Sequence, residues 1–362
     1  NFDKTSKGHG WVGIRYQNSE NEDYNEIVIH VKFKETNPTL QQETLGSLGV
    51  NLIYGAYFYI DNPRVLVESL YDDLSLDRLE IDMIDFSGPA FQYVDNRLMS
   101  LQLVKLGMTD AVIFNSKGSN MLPADILYKK NIFAVRGSFR PVTRVNIDMF
   151  ENGLEMFNQD NSCDSENTQI LFEITISNLR AAGDIDERDF LDRVDILGTL
   201  GYTVMISNFS EYYRMVDYFS SFTNQHIGVA MGVNNLLDVF DEEYYKNLAG
   251  GILEAFGKFF KKDMRVYLYP YKDPGNGELL TSENLKVHDN LKELYKYFKL
   301  NKRIVDIENH NPKFLEIYSR EILKKIMSHD MGWEEELPKG VAEMIKDRGM
   351  FGYKELTFEG LK

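Results

Sequence analysis

The feature that most constrains this chain is a recurring order of segments: a short β-branched run, a turn, an amphipathic stretch of ten or more residues, then another short run. Eight runs carry the strand signal, namely "NEIVIHVKF", "RLEIDMIDFSG", "DAVIFNS", "NIFAVRGSF", "TQILFEITISN", "YTVMISNF", "HIGVAMGV" and "MRVYLYPY". The first alternates, with Ile27, Ile29, Val31 and Phe33 on one face and Val28, His30, Lys32 and Lys34 on the other. Strands separated by helices are what parallel βαβ units require, so the class is α/β. The strand count predicts a (β/α)8-barrel-like fold first and a doubly wound sheet second. Among the helical stretches, "DERDFLDRVDILGTLG" is opened by Asp186 as an N-cap and closed by Gly201. "LGSLGVNLIYGAYFYI" reads as a buried helix, because three glycines interrupt it and it is too short to span a bilayer.

After "YKDPGNGE" the pattern changes. Residues 282–362 read as charged amphipathic helices without a strand signal, which predicts a helical appendage packing on an α/β domain of residues 1–281. Pro312 and Pro338 suit the first turns of two of these helices. The chain begins at Asn1 rather than Met, and "NFDKTSKGHGW" reads as the interior of a longer protein, so a further N-terminal segment is expected.

Composition narrows the function classes. With 43% hydrophobic and 27% charged residues the chain is a folded protein, and its 40 Lys+Arg against 56 Asp+Glu leave a net charge of −16. Such a molecule repels phosphate backbones, which argues against a nucleic-acid partner. No apolar run is long enough for a membrane span. Cys163 is the only cysteine, so no intrachain disulfide forms, and its acidic neighbours in "DNSCDSEN" make it a loop residue rather than a nucleophile. Together with the lack of a basic-then-apolar leader, this predicts a cytoplasmic protein.

"VRGSFRPVTRVNID" is the most informative polar stretch. Read as extended chain, it places Arg140, Arg144, Asn146 and Asp148 on one face, and with Arg136 it gathers three arginines within nine residues. Arginine forks grip carboxylate or phosphate, so Arg136, Arg140 and Arg144 are candidate anion ligands in an otherwise acidic molecule. The alternative is structural, with Arg144 pairing Asp148 and Arg140 pairing an acidic helix. Glu173 lies between Phe172 and Ile174, so it is expected to be covered and partnered; Glu173 or Asp148 would serve as general acid or base, assisted by His30. Gly250 and Gly251 open a helix whose free N–H groups suit an anion. The six histidines lack ligand spacing and there is no cysteine pair, so no zinc site is expected. Magnesium is the metal this chain could take, through Asp82 and Asp85. No haem, dinucleotide or Walker signature occurs, and "GHGW" at Gly8 to Trp11 reads as a turn.

At "LQQETLGSLGVNLIYGA", "DNRLMSLQLVKLGMTDAV", "RGSFRPVT", "EYYRMVDYF" and "GGILEAFGKFF" the chain resembles a family of bacterial proteins without an assigned function. Members carry automatic labels such as TonB-dependent receptor or nicotinate-nucleotide adenylyltransferase. The first label implies a β-barrel of alternating strands, the second a nucleotide-binding histidine motif, and neither pattern is in this sequence. The resemblance therefore implies no catalytic residue. The residues point to an enzyme acting on a small anionic metabolite, phosphorylated or not, with a metabolite-sensing or scaffold protein as the alternative.

Overall fold

The computed structural model describes residues 7–160, 165–181 and 183–354. Cys163 lies outside them. The chain divides into two units: one takes the chain up to Asp125 together with Met205–Asn208, and the other takes Ile126–Val204 and the described chain from Phe209 on. Residues 282–354 thus belong with the second unit, and the units part near Asp125.

In the first unit, β1 (His9–Tyr16), β2 (Asn25–Phe33), α1 (Pro38–Phe58), α2 (Pro63–Ser69), β3 (Leu79–Ser87), α3 (Asn96–Lys105), β4 (Ala111–Phe114) and β5 (Asn120–Met121) follow in order. The alternation of β2 has a simple cause. Ile27, Ile29 and Val31 face a core shared with Ile81 and Ile84 of β3 and with Leu48, Leu52, Leu66, Val67 and Leu103 of the helices. The polar parity forms the other face. β1, β2 and β3 make an antiparallel sheet, so the first two strand runs do not enter a parallel barrel. "GHGW" is the start of β1 rather than a turn. Side-chain caps from Asn37, Asn62 and Asp95 start the three helices. Only one side of α1 is buried, and Val50, Ile53, Tyr57 and Phe58 are exposed on the other.

Through α4 (Pro123–Leu127) the chain enters the second unit. There follow β6 (Asn131–Arg136), α5 (Arg144–Asp160), β7 (Thr168–Thr175), α6 (Ile176–Arg180), α7 (Glu187–Thr199), β8 (Val204–Ser207, which from Met205 on belongs to the first unit), α8 (Tyr212–Phe222), β9 (Ile227–Gly232) and α9 (Val233–Val239). Then come α10 (Gly251–Phe259), β10 (Arg265–Tyr269), β11 (Tyr271–Lys272), β12 (Leu279–Leu280), α11 (Lys292–Leu300), β13 (Ile304–Asp306), α12 (Ser319–Ser328) and α13 (Val341–Arg348). Within this unit the strands run β13-β10-β9-β6-β7, and every neighbouring pair is parallel. Their side chains are apolar on both faces, as in Phe133, Ala134 and Val135 or Val229, Ala230 and Met231, because helices cover a parallel sheet.

The barrel expectation fails on topology. A closed barrel has no edge, whereas β13 pairs only with β10 among the described residues, so the sheet is open. The chain goes from β6 to β7 on one side, then places β9 on the opposite side of β6 and continues outward through β10 to β13. The β6/β9 boundary is therefore the switch point of the topology. Two local expectations also change. Residues 138–143 form a loop and Arg144–Asp160 a helix, so the "VRGSFRPVTRVNID" stretch is extended only as far as Arg136. The region after residue 282 contains β13, whose three residues gave no separable pattern.

The sheet is also closely packed at its centre. Gly228 lies on β9, where a Cβ would sit 2.6 Å from Phe157 and 2.8 Å from Phe133. Only a residue without a side chain leaves those rings their places. Gly228→Val should lower stability by about 1–3 kcal/mol through overpacking, read as a lower urea midpoint.

Candidate ligand-binding site

The carboxyl ends of the parallel strands deliver Arg136 from β6, Thr175 from β7, Gly232 from β9 and Tyr269 from β10. A cleft of about 520 Å³ opens there, lined by Arg136 and by Gly137, Ser138 and Arg140 of the β6–α5 loop, by Asn146 and Asn178, by Gly232–Asn235 after β9, and by Tyr269, Tyr318 and Arg320. It sits at the switch point, where open α/β sheets bind ligands.

Register explains its most buried pair. Arg136 stands opposite Glu173 on adjacent parallel strands, and its Nε and Nη2 donate to the two carboxylate oxygens at 2.6 and 3.0 Å. Glu173 is 0% exposed. Arg136 Nη1 donates to the Ser210 carbonyl at 3.2 Å, and the guanidinium lies 4.3 Å from the centre of the Tyr212 ring. Burial alone would lower the Arg136 pKa, but the Glu173 carboxylate more than offsets it and pushes the pKa up. The expected partner of Glu173 is therefore an arginine of the candidate anion set. Glu173 does not itself line the cleft.

Arg140 donates through Nε to Asp189 on α7, and the same carboxylate accepts from the buried Arg193. Arg193 also donates to the Ser138 carbonyl at 3.0 Å, which fixes the loop. The Arg140 side chain stays 27% exposed at the cleft. Phe139 holds a left-handed backbone, φ 45°, with its ring packed 5.2 Å from Phe172. A bulky residue in that region is strained, and packing holds it there next to the cleft.

Other expected residues have different places. Arg144 is exposed on the first turn of α5 and donates to the Leu337 carbonyl at 3.0 Å. Asp148 accepts from the Tyr269 hydroxyl at 2.7 Å and from the Asn311 N–H at 2.9 Å, so Arg144 and Asp148 each have a partner other than the other. The Gly250 N–H donates to Glu254 Oε2 at 3.0 Å, which means that this helix start carries a carboxylate of its own. Neither Gly250 nor Gly251 lines the cleft.

The first unit holds a separate polar cluster. His30 Nδ1 lies 2.6 Å from Asp82 and its Nε2 lies 3.3 Å from His9 Nδ1, while Lys32 Nζ reaches the other Asp82 oxygen at 2.5 Å. Trp11, 56% exposed, packs against His30 in an edge-to-face arrangement with ring centres 5.0 Å apart. Asp85 is apart from this group and accepts from Asn96 at 2.8 Å. Asp82 and Asp85 thus have different partners, and no three His, Cys, Asp or Glu residues come together as metal ligands among the described residues. Burial would raise the Asp82 carboxyl, but His30 and Lys32 hold it below its usual value of 3.8.

Arg320, Asn178 and Asn235 line the cleft without having been picked out in the sequence. Arg320 sits in "SREILKK", which looks like any solvated helix face, and the one hint for Asn178 is its place three residues after Thr175, with which it forms a capping box. No protein-family model matches the chain, and no curated protein is significantly similar to it.

Two outcomes follow from the buried pairs. Glu173→Ala leaves Arg136 buried without its counter-charge and should cost about 3–5 kcal/mol in denaturant unfolding. Because the folded Asp82 pKa is depressed, its contribution is complete above its unfolded value and disappears as pH falls through the folded one. The stability gap between the native chain and Asp82→Asn should therefore shrink as pH falls below about 4.

Proposed function

We propose that this chain binds a small anionic metabolite in the cleft at the β6/β9 switch point. The observation that carries this reading is the charge of the lining: among the described residues it holds three arginines, Arg136, Arg140 and Arg320, and no aspartate or glutamate. The molecule as a whole has a net charge of −16, so its field works against anions, and the cleft is a local exception. Glu173 offsets Arg136, and Asp189 is shared between Arg140 and Arg193. One carboxylate thus serves two arginines, and Arg320 stands exposed in the lining. The volume suits a metabolite rather than a polymer.

Recognition fits the lining better than catalysis does. Glu173 and Asp148, the expected acid or base, are held by Arg136 and Tyr269, and among the described residues no histidine, lysine or cysteine lines the cleft. A metabolite-sensing protein is thus the first reading. An enzyme is the second, favoured by two carboxylates, Glu211 and Asp238, in an adjoining chamber. A single cysteine suits a cytoplasmic setting for either, and among the described residues no helix is long and apolar enough to cross a membrane.

Thermal unfolding against a panel of phosphorylated and carboxylate metabolites tests this. A true ligand at about 100 times its dissociation constant should add about 2.7 kcal/mol of stability. Arg320→Ala changes an exposed residue and should leave intrinsic stability within about 0.5 kcal/mol while removing most of the ligand shift. An undiminished shift in the variant, or no shift from any anion, would overturn the reading. NMR of the stabilising compound separates sensor from enzyme, since only an enzyme would convert it.

A further inference from the structure

Beside the anion cleft lies a smaller chamber of about 300 Å³, with Arg136, Asn178 and Asn235 lining both. Its chemistry is opposite. Glu211, Asp238, Tyr212, Tyr244 and Tyr245 line it, and Arg136, the one cation of the lining, is engaged by Glu173. Two polar atoms here are buried without a hydrogen-bond partner: the Tyr212 hydroxyl and Glu211 Oε2. Tyr212 is only 7% exposed, so its hydroxyl is largely shielded from bulk water and is open to a partner bound in the chamber. Arg214 approaches Glu211 Oε2 to 3.4 Å as an ion pair but makes no hydrogen bond with it.

We infer that this chamber is a cation subsite and that the ligand is a zwitterion, with its carboxylate or phosphate in the arginine cleft and an ammonium group among Glu211, Tyr212 and Asp238. This rests on the anion reading of the larger cleft. An ammonium group brings three donors and no acceptor, which matches a wall of carboxylate and hydroxyl oxygens. Tyrosine rings around it add cation–π attraction. A second anionic group would face two carboxylates, so a dianion extending into both chambers is disfavoured. Arg136 separates the two charges of the ligand, with its own charge tied to Glu173.

Calorimetric titration of the full chain with matched probe pairs tests the inference. One series is glycine, β-alanine, 4-aminobutyrate and 6-aminohexanoate against the same acids lacking the amine; the other is phosphoethanolamine against ethyl phosphate. At least one zwitterion should bind about tenfold or more tightly than its amine-free match. Glu211→Gln and Tyr212→Phe should each reduce that preference and leave the amine-free anion bound as before, whereas Arg320→Ala should weaken both members of the pair. Circular dichroism checks that each variant is folded, and Tyr212→Phe keeps the ring if Glu211→Gln does not fold. Equal binding of both members, or a preference unchanged in the two chamber variants, would overturn the cation subsite and leave the anion cleft standing. Binding of neither member of any pair would overturn both.

Discussion

The pairing of Arg136 with Glu173 is the interaction on which the rest of the site depends. Both residues stand at the carboxyl ends of neighbouring parallel strands, and register alone brings them face to face. Buried ion pairs gain little net stability, because desolvation offsets the attraction, but removing one partner is costly. Their value here is geometric. The pair holds a guanidinium at the wall between two chambers and withdraws from the lining the carboxylate that would otherwise repel an anion.

The Arg140, Asp189 and Arg193 group does similar work one loop further on. Arg193 is buried, and the single Asp189 carboxylate is shared between it and Arg140. Arg140 therefore stays at the β6–α5 loop with a carboxylate it does not have to itself, next to Phe139 in its left-handed conformation. On the proposed anion-binding reading, the cleft's arginines act locally in a chain of net charge −16: a small anion would be attracted only at short range, where they outweigh the molecular field. On the same reading, selectivity for one ligand would rest on the asparagines and tyrosines of the lining, whose hydrogen bonds have fixed directions.

Much of this was legible in the sequence, and the failures have physical causes. All eight β-branched runs form strands, because burial against helices selects such residues whatever the pairing direction. Direction and sheet membership are non-local, so β2 and β3 could not be told from parallel strands by their own residues. The covered state of Glu173 followed from its apolar neighbours, and its partner came from the candidate arginines. Parity failed for Arg140 to Asp148, since the chain leaves the strand after Arg136 and re-enters order as α5, where residues 144 and 148 are one turn apart. Arg320 and Asn178 carry no distinctive local signature; only the fold brings them to the cleft.

The most direct test of the account is anomalous diffraction from crystals soaked in selenate, which shows where a small dianion settles whatever the natural ligand is. The account predicts a selenium peak in the β6/β9 cleft against Arg320 and Arg140, absent in crystals of Arg320→Ala. Peaks confined to other parts of the surface, or an empty cleft at concentrations that occupy them, would contradict it.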